Sequence, residues 1–264
     1  MPRAKRRLGQ HFLSDRRILE RIADALDATS HDTVLEIGPG PGGLTEVLAG
    51  RVGTLVAIEK DAELIAGLRA TVANATIVEA DALEADWHAI AGPDFLVAGN
   101  IHYNITSPLI DKALTPPRPR RIVFLVQREV ADRVGAAPGS EAYGALSVGV
   151  QAVARAERLF TVAAGAFHPR PRVDSAVLRL TPLAAPLVGD AEVAPFRRLV
   201  VGLFGFRRKQ IGRGLRELTG WSADRVEEAL GVAGIDPRVR PETVAPGPFV
   251  ALLRSLVDGG WQAR

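Results

Sequence analysis

The stretch from Thr33 to Leu48 limits what this chain can fold into more than any other. Thr33-Val34-Leu35-Glu36-Ile37 is a short β-type run. It ends in Gly38-Pro39-Gly40-Pro41-Gly42-Gly43, and Leu44-Thr45-Glu46-Val47-Leu48 continues as a helix. A strand, a glycine-rich turn and a helix form a nucleotide-binding opening. The glycines let backbone approach a ligand closely, and the helix N-terminus offers unpaired N–H groups. A second strand, Leu55-Val56-Ala57-Ile58, ends at Glu59, where a carboxylate can accept hydrogen bonds from two ribose hydroxyls.

The glycine spacing admits two readings. Gly38, Gly40 and Gly43 fit the dinucleotide pattern G-x-G-x-x-G, whereas Glu36, Gly38, Gly40 and Gly42 fit the E-x-G-x-G-x-G opening of S-adenosylmethionine enzymes. Pro39 and Pro41 each remove an N–H donor, which weakens the case for a pyrophosphate cradle.

Strand and helix patterns then alternate. A helix is expected over Ala62–Val72 and a strand over Thr76–Glu79, leading to Ala80-Asp81-Ala82, where Asp81 can accept from an adenine amino group. Phe95-Leu96-Val97-Ala98 is a buried strand that delivers Asn100-Ile101-His102-Tyr103. A helix follows over Ser107–Leu114, and Ile122–Val126 is a fully apolar fifth strand. This alternation predicts a doubly wound, mostly parallel sheet, whose strand carboxyl ends carry the ligands. Asn100 and Tyr103 place a carboxamide, a turn and an aromatic face at such an end, suited to gripping a planar ring that bears an amine. Helices are expected within 128–153, then a strand over Arg158–Val162. Phe167-His168-Pro169-Arg170-Pro171-Arg172-Val173-Asp174-Ser175 is a proline-stiffened loop that offers Phe167 beside two arginines as a base-stacking platform. Ala176–Leu180 is the last strand, antiparallel to its neighbours. Beyond an Ala/Pro-rich linker at Pro182–Ala191, helices are expected near Val193–Leu203, Arg207–Leu218, Ala223–Leu230 and Pro248–Val257.

Charge suggests the partner. Net charge is only +3, but residues 1–21 hold seven basic residues against two acidic ones, and residues 192–221 repeat that balance. Arg3, Lys5, Arg6 and Arg7 lead the first segment, and Arg207, Arg208 and Lys209 centre the second. Two basic segments on a mildly acidic body point to a polyanion. The chain has no Cys, so thiolate catalysis and Cys zinc sites are excluded, and five scattered histidines show no metal-ligand spacing. No signal peptide or membrane span is read, and a cytoplasmic location is expected.

Taken in order, Leu8-Gly9-Gln10-His11-Phe12-Leu13, Glu36-Ile37-Gly38-Pro39-Gly40-Pro41-Gly42, Glu59, Asp81, Asn100-x-x-Tyr103, Phe167-x-Pro169-x-Pro171-x-Val173-x-Ser175 and Phe206-Arg207-Arg208-Lys209 resemble the ribosomal RNA adenine dimethyltransferases nearly end to end. The resemblance implies a seven-stranded Rossmann-like methyltransferase domain over 1–185 and a small all-α RNA-binding domain over 186–264. It implies that His11, Leu13, Gly38, Gly40, Glu59, Asp81, Ala82 and Asn100 line an S-adenosylmethionine pocket. Asn100, His102 and Tyr103 would hold the target adenine, with Phe167 stacked on its other face. Arg3, Lys5, Arg6, Arg7, Arg170, Arg172, Arg207, Arg208 and Lys209 would bind RNA. The expected reaction is dimethylation of two adjacent adenines near the 3′ end of 16S rRNA in an immature small subunit, by a monomer without a metal. Two acceptors, the Asn100 side-chain oxygen and the carbonyl of residue 102, would bind the two amine hydrogens.

One position departs from the family, which usually has Pro where His102 stands. Proline would fix φ, so the histidine is expected to leave a less preorganised turn. Three other readings stand beside the leading one. They are a large-subunit (23S) adenine methyltransferase conferring macrolide resistance, a non-catalytic RNA-binding assembly factor, and a nicotinamide oxidoreductase suggested by the glycines alone.

Overall fold

Each element in the N-terminal half begins where the sequence supplies a cap or a turn. The computed structural model describes residues 10–262. A two-residue strand β1 (Phe12–Leu13) precedes helix α1 (Arg16–Leu26), whose first turn is capped by Asp15 accepting from the Arg17 and Ile18 amides. Next come β2 (Thr33–Ile37), α2 (Gly43–Ala49), β3 (Thr54–Glu59) and α3 (Ala62–Thr71), the last capped by Asp61. They are followed by β4 (Ala75–Glu79), a short α4 (Trp87–Ala91) capped by Asp86, β5 (Leu96–Asn100), α5 (Thr106–Ala113) and β6 (Ile122–Gln127). Helices α6 (Arg128–Val134) and α7 (Ala145–Gln151) lead to β7 (Ala154–Val162), a two-residue β8 (Phe167–His168) and β9 (Ser175–Pro182).

Seven strands form one sheet in the order β4-β3-β2-β5-β6-β9-β7. Strands β4 to β6 pair in parallel, and β9 runs antiparallel to β6, as the sequence predicts. The order reverses direction between β2 and β5, which places a crevice at the carboxyl ends of those two strands. Ile37 lies opposite Gly99 there, and a Cβ on Gly99 would come within 2.6 Å of the Ile37 carbonyl, so only glycine allows this approach. Leu19, Ile22 and Leu26 of α1 join Val34, Leu96 and Val123 of the sheet in one apolar cluster, while Leu64, Ile65 and Leu68 of α3 cover Ala57 and Ile77 in another.

The Phe167 segment, a loop by sequence, opens as a strand. β1 pairs antiparallel with β8, Leu13 opposite Phe167 and Phe12 opposite His168.

The chain divides into two compact units. The first holds the residues up to Ala131 with Ala156–Pro182, and the second holds Asp132–Arg155 with Leu183 onward. Residues 132–155, assigned to the first domain by sequence, therefore group with the C-terminal helices. In that second unit α8 (Val193–Gly205), α9 (Ile211–Thr219), α10 (Ala223–Val232) and α11 (Pro246–Asp258) bury Phe196, Leu199, Leu215, Leu230, Phe249 and Leu252. Tyr143, just before α7, is buried there and donates its hydroxyl proton to the Val244 carbonyl at 2.9 Å. Among the described residues no helix is long and apolar enough to cross a membrane.

Candidate active site

The turn after β2 is built by positive-φ glycines. Gly38, Gly40 and Gly42 have φ of 66°, 59° and 96°. At Gly40 a side chain would also press on the Phe12 ring, 3.3 Å from the Cβ position. The Gly40 N–H donates to Glu59 Oε2 at 3.1 Å, and the Asp61 N–H donates to Glu59 Oε1 at 2.8 Å. Glu59 is buried, and that burial raises its pKa above the usual carboxylate value. Gln10 donates from Nε2 to the buried Asp61 at 3.1 Å, so the segment before β1 is tied to the end of β3.

Beneath the turn, Glu36 is fully buried, with Oε2 lacking a hydrogen-bond partner, as does Thr45 Oγ1. Burial pushes the Glu36 carboxyl up to about 8, and the nearby Glu59 charge acts in the same direction. At the end of β4, Asp81 accepts from the Leu83 N–H at 2.9 Å and from Lys60 Nζ at 2.6 Å. The lysine is the main cause of its lowered pKa. Ala82 is buried, and its carbonyl accepts from the Trp87 indole at 2.9 Å.

His11, Leu13, Gly38, Gly40, Asn100 and His102 converge on a cavity of about 30 Å³. That is room for about one water. Glu59, Asp81 and Ala82 are not in its lining. The chemistry of the donor set nevertheless fits S-adenosylmethionine. A buried carboxylate stands at the end of β3, a second acid at the end of β4, and an orphaned carboxyl oxygen lies under the turn.

Asn100 closes β5 at the switch point. Its Nδ2 donates to the His11 carbonyl at 2.9 Å. Only the amide nitrogen can donate to a carbonyl, so this bond fixes the side-chain orientation and leaves Oδ1 as an acceptor. The His102 carbonyl, the second acceptor suggested by the sequence, already takes the Ile105 N–H at 3.1 Å and the Thr106 hydroxyl at 3.2 Å. His102 itself has φ −60° and ψ 134°. That is the conformation proline would impose, so the turn expected to loosen keeps the proline shape. Partial burial of its imidazole lowers its pKa, and the nearby His11 acts in the same direction.

Tyr103 is held by its hydroxyl, 2.9 Å from Ser175 Oγ, and its ring stacks on His11 with centroids 5.5 Å apart. The His11 Nδ1 lies 2.7 Å from the Pro169 carbonyl, so Nδ1 carries the proton. Phe167, expected to face the target base, is 5% exposed and packs in the apolar cluster with Leu13, Leu19 and Val177. The physical cause is the β1–β8 pairing, which turns its ring inward, and His11 is the ring found beside Tyr103. Next to this pair opens a cavity of about 570 Å³, lined by Tyr103, Arg170 and Arg172.

Of the other RNA-binding residues, Arg207 and Arg208 are exposed in the turn after α8. Lys209 is engaged, its Nζ 2.6 Å from Glu217 and 5.0 Å from the Phe206 ring centroid. Arg3, Lys5, Arg6 and Arg7 lie outside the described residues. Sequence reasoning passed over Gln10, Asp61, Gln127 and Ser175. Asp61 and Gln127 carry no motif signal of their own, whereas Gln10 and Ser175 stand in motif runs that gave them no role. Gln127 could be found only by knowing that β6 and β9 pair.

Comparison with known proteins places these features. The family model described as ribosomal RNA adenine dimethylase matches residues 1–247. A ribosomal RNA small subunit methyltransferase A from Geobacter metallireducens is 42% identical over 98% of this chain and 97% of its own length. One of the same name from Acidithiobacillus ferrooxidans is 43% identical over the same shares. Among solved structures, a dimethyladenosine transferase from Plasmodium falciparum superposes with a TM-score of 0.82 over 96% of this chain and 100% of its own, at 24% identity. The 23S rRNA methyltransferase ErmE gives 0.70 over 93% and 99%, at 30% identity.

Proposed function

The chain belongs to the ribosomal RNA adenine dimethylase family, and from that membership we propose that it places two methyl groups on the N6 amine of each of two adjacent adenines near the 3′ end of 16S rRNA. Two small-subunit methyltransferases at 42% and 43% identity, against 30% for the 23S enzyme, support the small-subunit reading. The enzyme acts in the cytoplasm as a monomer on an immature small subunit.

The observation that carries the chemistry is the fixed Asn100 carboxamide. The adenine amine is a poor nucleophile because its lone pair is delocalised into the ring. An acceptor at Asn100 Oδ1 binds one amine hydrogen and favours a pyramidal nitrogen with its lone pair turned out of the ring plane. Because the Asn100 amide is pinned by the His11 carbonyl, no reorganisation is needed as charge develops. A single acceptor suffices for both rounds. After the first methylation the nitrogen still carries one hydrogen for Oδ1, whereas a site demanding two hydrogens would reject the monomethylated base. The product ammonium is acidic and loses its proton to water, so no strong base is required.

Tyr103, tethered by Ser175, supplies the stacking face that offsets unstacking of the target base. Its ring is now covered by His11, which has to yield that face to the base. Gly38 and Gly40, with Glu59 and Asp81, would hold S-adenosylmethionine, which supplies an electrophilic methyl group. The N-terminal residues Arg3, Lys5, Arg6 and Arg7, with Arg170, Arg172, Arg207, Arg208 and Lys209, would neutralise phosphates, so that both units would meet RNA while the sheet unit does the chemistry. The test is transfer of labelled methyl groups to small subunits lacking the modification, with unmodified large-subunit RNA in parallel. Label on small-subunit adenines supports the assignment, and label only on large-subunit RNA refutes it.

A further inference from the structure

The cavity beside Tyr103 has more room than a phosphate contact needs. At about 570 Å³ it lies in the range of pockets that take a nucleotide. His11 and Tyr103 form one part of its wall, Arg170, Arg172 and Val173 come from the 169–174 loop, and Gln127 supplies a carboxamide. The two arginines are exposed, and Val173 is 48% exposed, a high value for an apolar residue.

Gln127 is the last residue of β6 and lies directly opposite Ser175 of β9. Cross-strand partners project to the same face of a sheet. Ser175 holds the Tyr103 hydroxyl, so the register sets the Gln127 amide beside the ring that grips the target. Gln127 ends an otherwise apolar strand, is half-buried, and its side chain makes no hydrogen bond among the described residues. Its carboxamide lines the cavity and keeps its donor and acceptor open to a ligand. The loop opposite is stiff. Asp174 Oδ1 accepts the Ala164 N–H at 3.0 Å, its carbonyl accepts the Arg128 N–H at 3.0 Å, and Pro169 and Pro171 restrict the backbone between.

We propose that this cavity is a second base subsite, used while the first of the two adenines is methylated, in which Gln127 reads the Hoogsteen edge of its still-unmodified neighbour while Arg170 and Arg172 hold the phosphate between them. The inference rests on the small-subunit reading above, in which the target has an adenine neighbour. A Gln carboxamide matches adenine in two bonds, Nε2 donating to N7 and Oε1 accepting from N6. Guanine offers acceptors at both O6 and N7, so Oε1 would face an acceptor and the pair would fail. Gln127 thereby becomes a specificity residue, distinct from Asn100, which touches the reacting amine.

The test uses small subunits reconstituted with 16S RNA in which the neighbouring adenine is intact, carries carbon in place of N7, or is replaced by guanine. Wild-type protein should lose roughly tenfold or more in kcat/KM on the two altered substrates, the size of a bidentate base contact. Gln127→Leu should be slower on the intact substrate and show no further loss on the altered ones. Gln127→Glu, which keeps size but lacks the donor, should lose discrimination at N7. An S-adenosylmethionine dissociation constant within about twofold of wild type in both variants would show that the cofactor side is intact. Equal rates of the wild type on all three substrates, or a Gln127→Leu variant that keeps the full penalty, would overturn the proposal. Loss of activity only in Arg170→Ala and Arg172→Ala would also overturn it, by reducing the cavity to a phosphate contact. If the wild type methylates no intact small subunit, the functional reading fails first, and that result appears before any substitution is made.

Discussion

The side-chain nitrogen of Asn100 donates to the backbone carbonyl of His11 at 2.9 Å, joining the end of the fifth strand to the segment that covers the switch point. This bond orients the only side-chain acceptor that Asn100 can offer a substrate amine. It also makes the N-terminal segment part of the site. Gln10 is tied to Asp61, His11 stacks on Tyr103, and Phe12 packs on Gly40.

His102 has the backbone conformation of a proline, and its N–H makes no backbone hydrogen bond among the described residues. His102→Pro is therefore expected to retain methyl transfer and to stabilise the fold by about 0.4–1 kcal/mol through the unfolded state. Thermal denaturation should show a Tm raised by about 1–3 °C. A lower Tm or a tenfold loss of turnover would mean that the imidazole does work the geometry does not reveal.

Glu36 is the buried acid whose pKa is pushed up to about 8 from an ordinary value of 4.5. Its folded-state pKa lies above its unfolded one, so its contribution is intact below about pH 4.5. Stability is lost as pH rises, because the unfolded chain releases the proton first. The loss is complete above about pH 8 and is on the order of 5 kcal/mol. Glu36→Gln cannot ionise, so urea denaturation should find the variant gaining on the wild type steadily between pH 4.5 and 8. Parallel stability curves across that window would contradict the burial argument.

Gly99→Ala puts a methyl group 2.6 Å from the Ile37 carbonyl and 2.8 Å from Ile101 Cδ1. The backbone neighbour cannot move without parting β2 from β5. We expect a loss of about 2–3 kcal/mol, at the upper end for overpacking, with weakened cofactor binding because both strand ends shift. Chemical denaturation and cofactor titration would register it. An unchanged midpoint would show that the sheet breathes at its switch point.

Arg207 and Arg208 are exposed cations on the second unit, whereas Lys209 is held by Glu217. If the pair contacts phosphates, Arg207→Ala with Arg208→Ala should lower the salt slope of RNA binding by about 1.5–2, uniformly across sequences. Lys209→Ala should change it by less. A full slope in the double variant would remove this turn from the interface.

The parallel half of the sheet was legible because its strands are short apolar runs bounded by glycine turns or caps, as with Thr33–Ile37 and Ile122–Gln127. The two-residue strands at Phe12 and Phe167 were not, since each exists only through the other, far away in the chain. That pairing also decides which aromatic ring meets Tyr103, so the placement of His11 and the burial of Phe167 escaped sequence reasoning. β7 was read only from Arg158 because Arg155 to Glu157 alternate poorly, as suits the edge of a sheet. The one-turn α4 is too short for periodicity and is set by the Asp86 cap. The expected looseness at residue 102 failed for a simpler reason. A residue type that permits many φ values does not forbid −60°.

The central claim is that a pinned Asn100 carboxamide activates the adenine amine. The most direct measurement compares wild type with Asn100→Ala for labelled methyl transfer to small subunits lacking the modification, with binding to the same particles measured alongside. The account predicts two methyl groups on each of two adjacent adenines with the wild type. The variant should bind the particle with nearly unchanged affinity while losing at least about a hundredfold in turnover. Near-normal turnover by Asn100→Ala would contradict the mechanism.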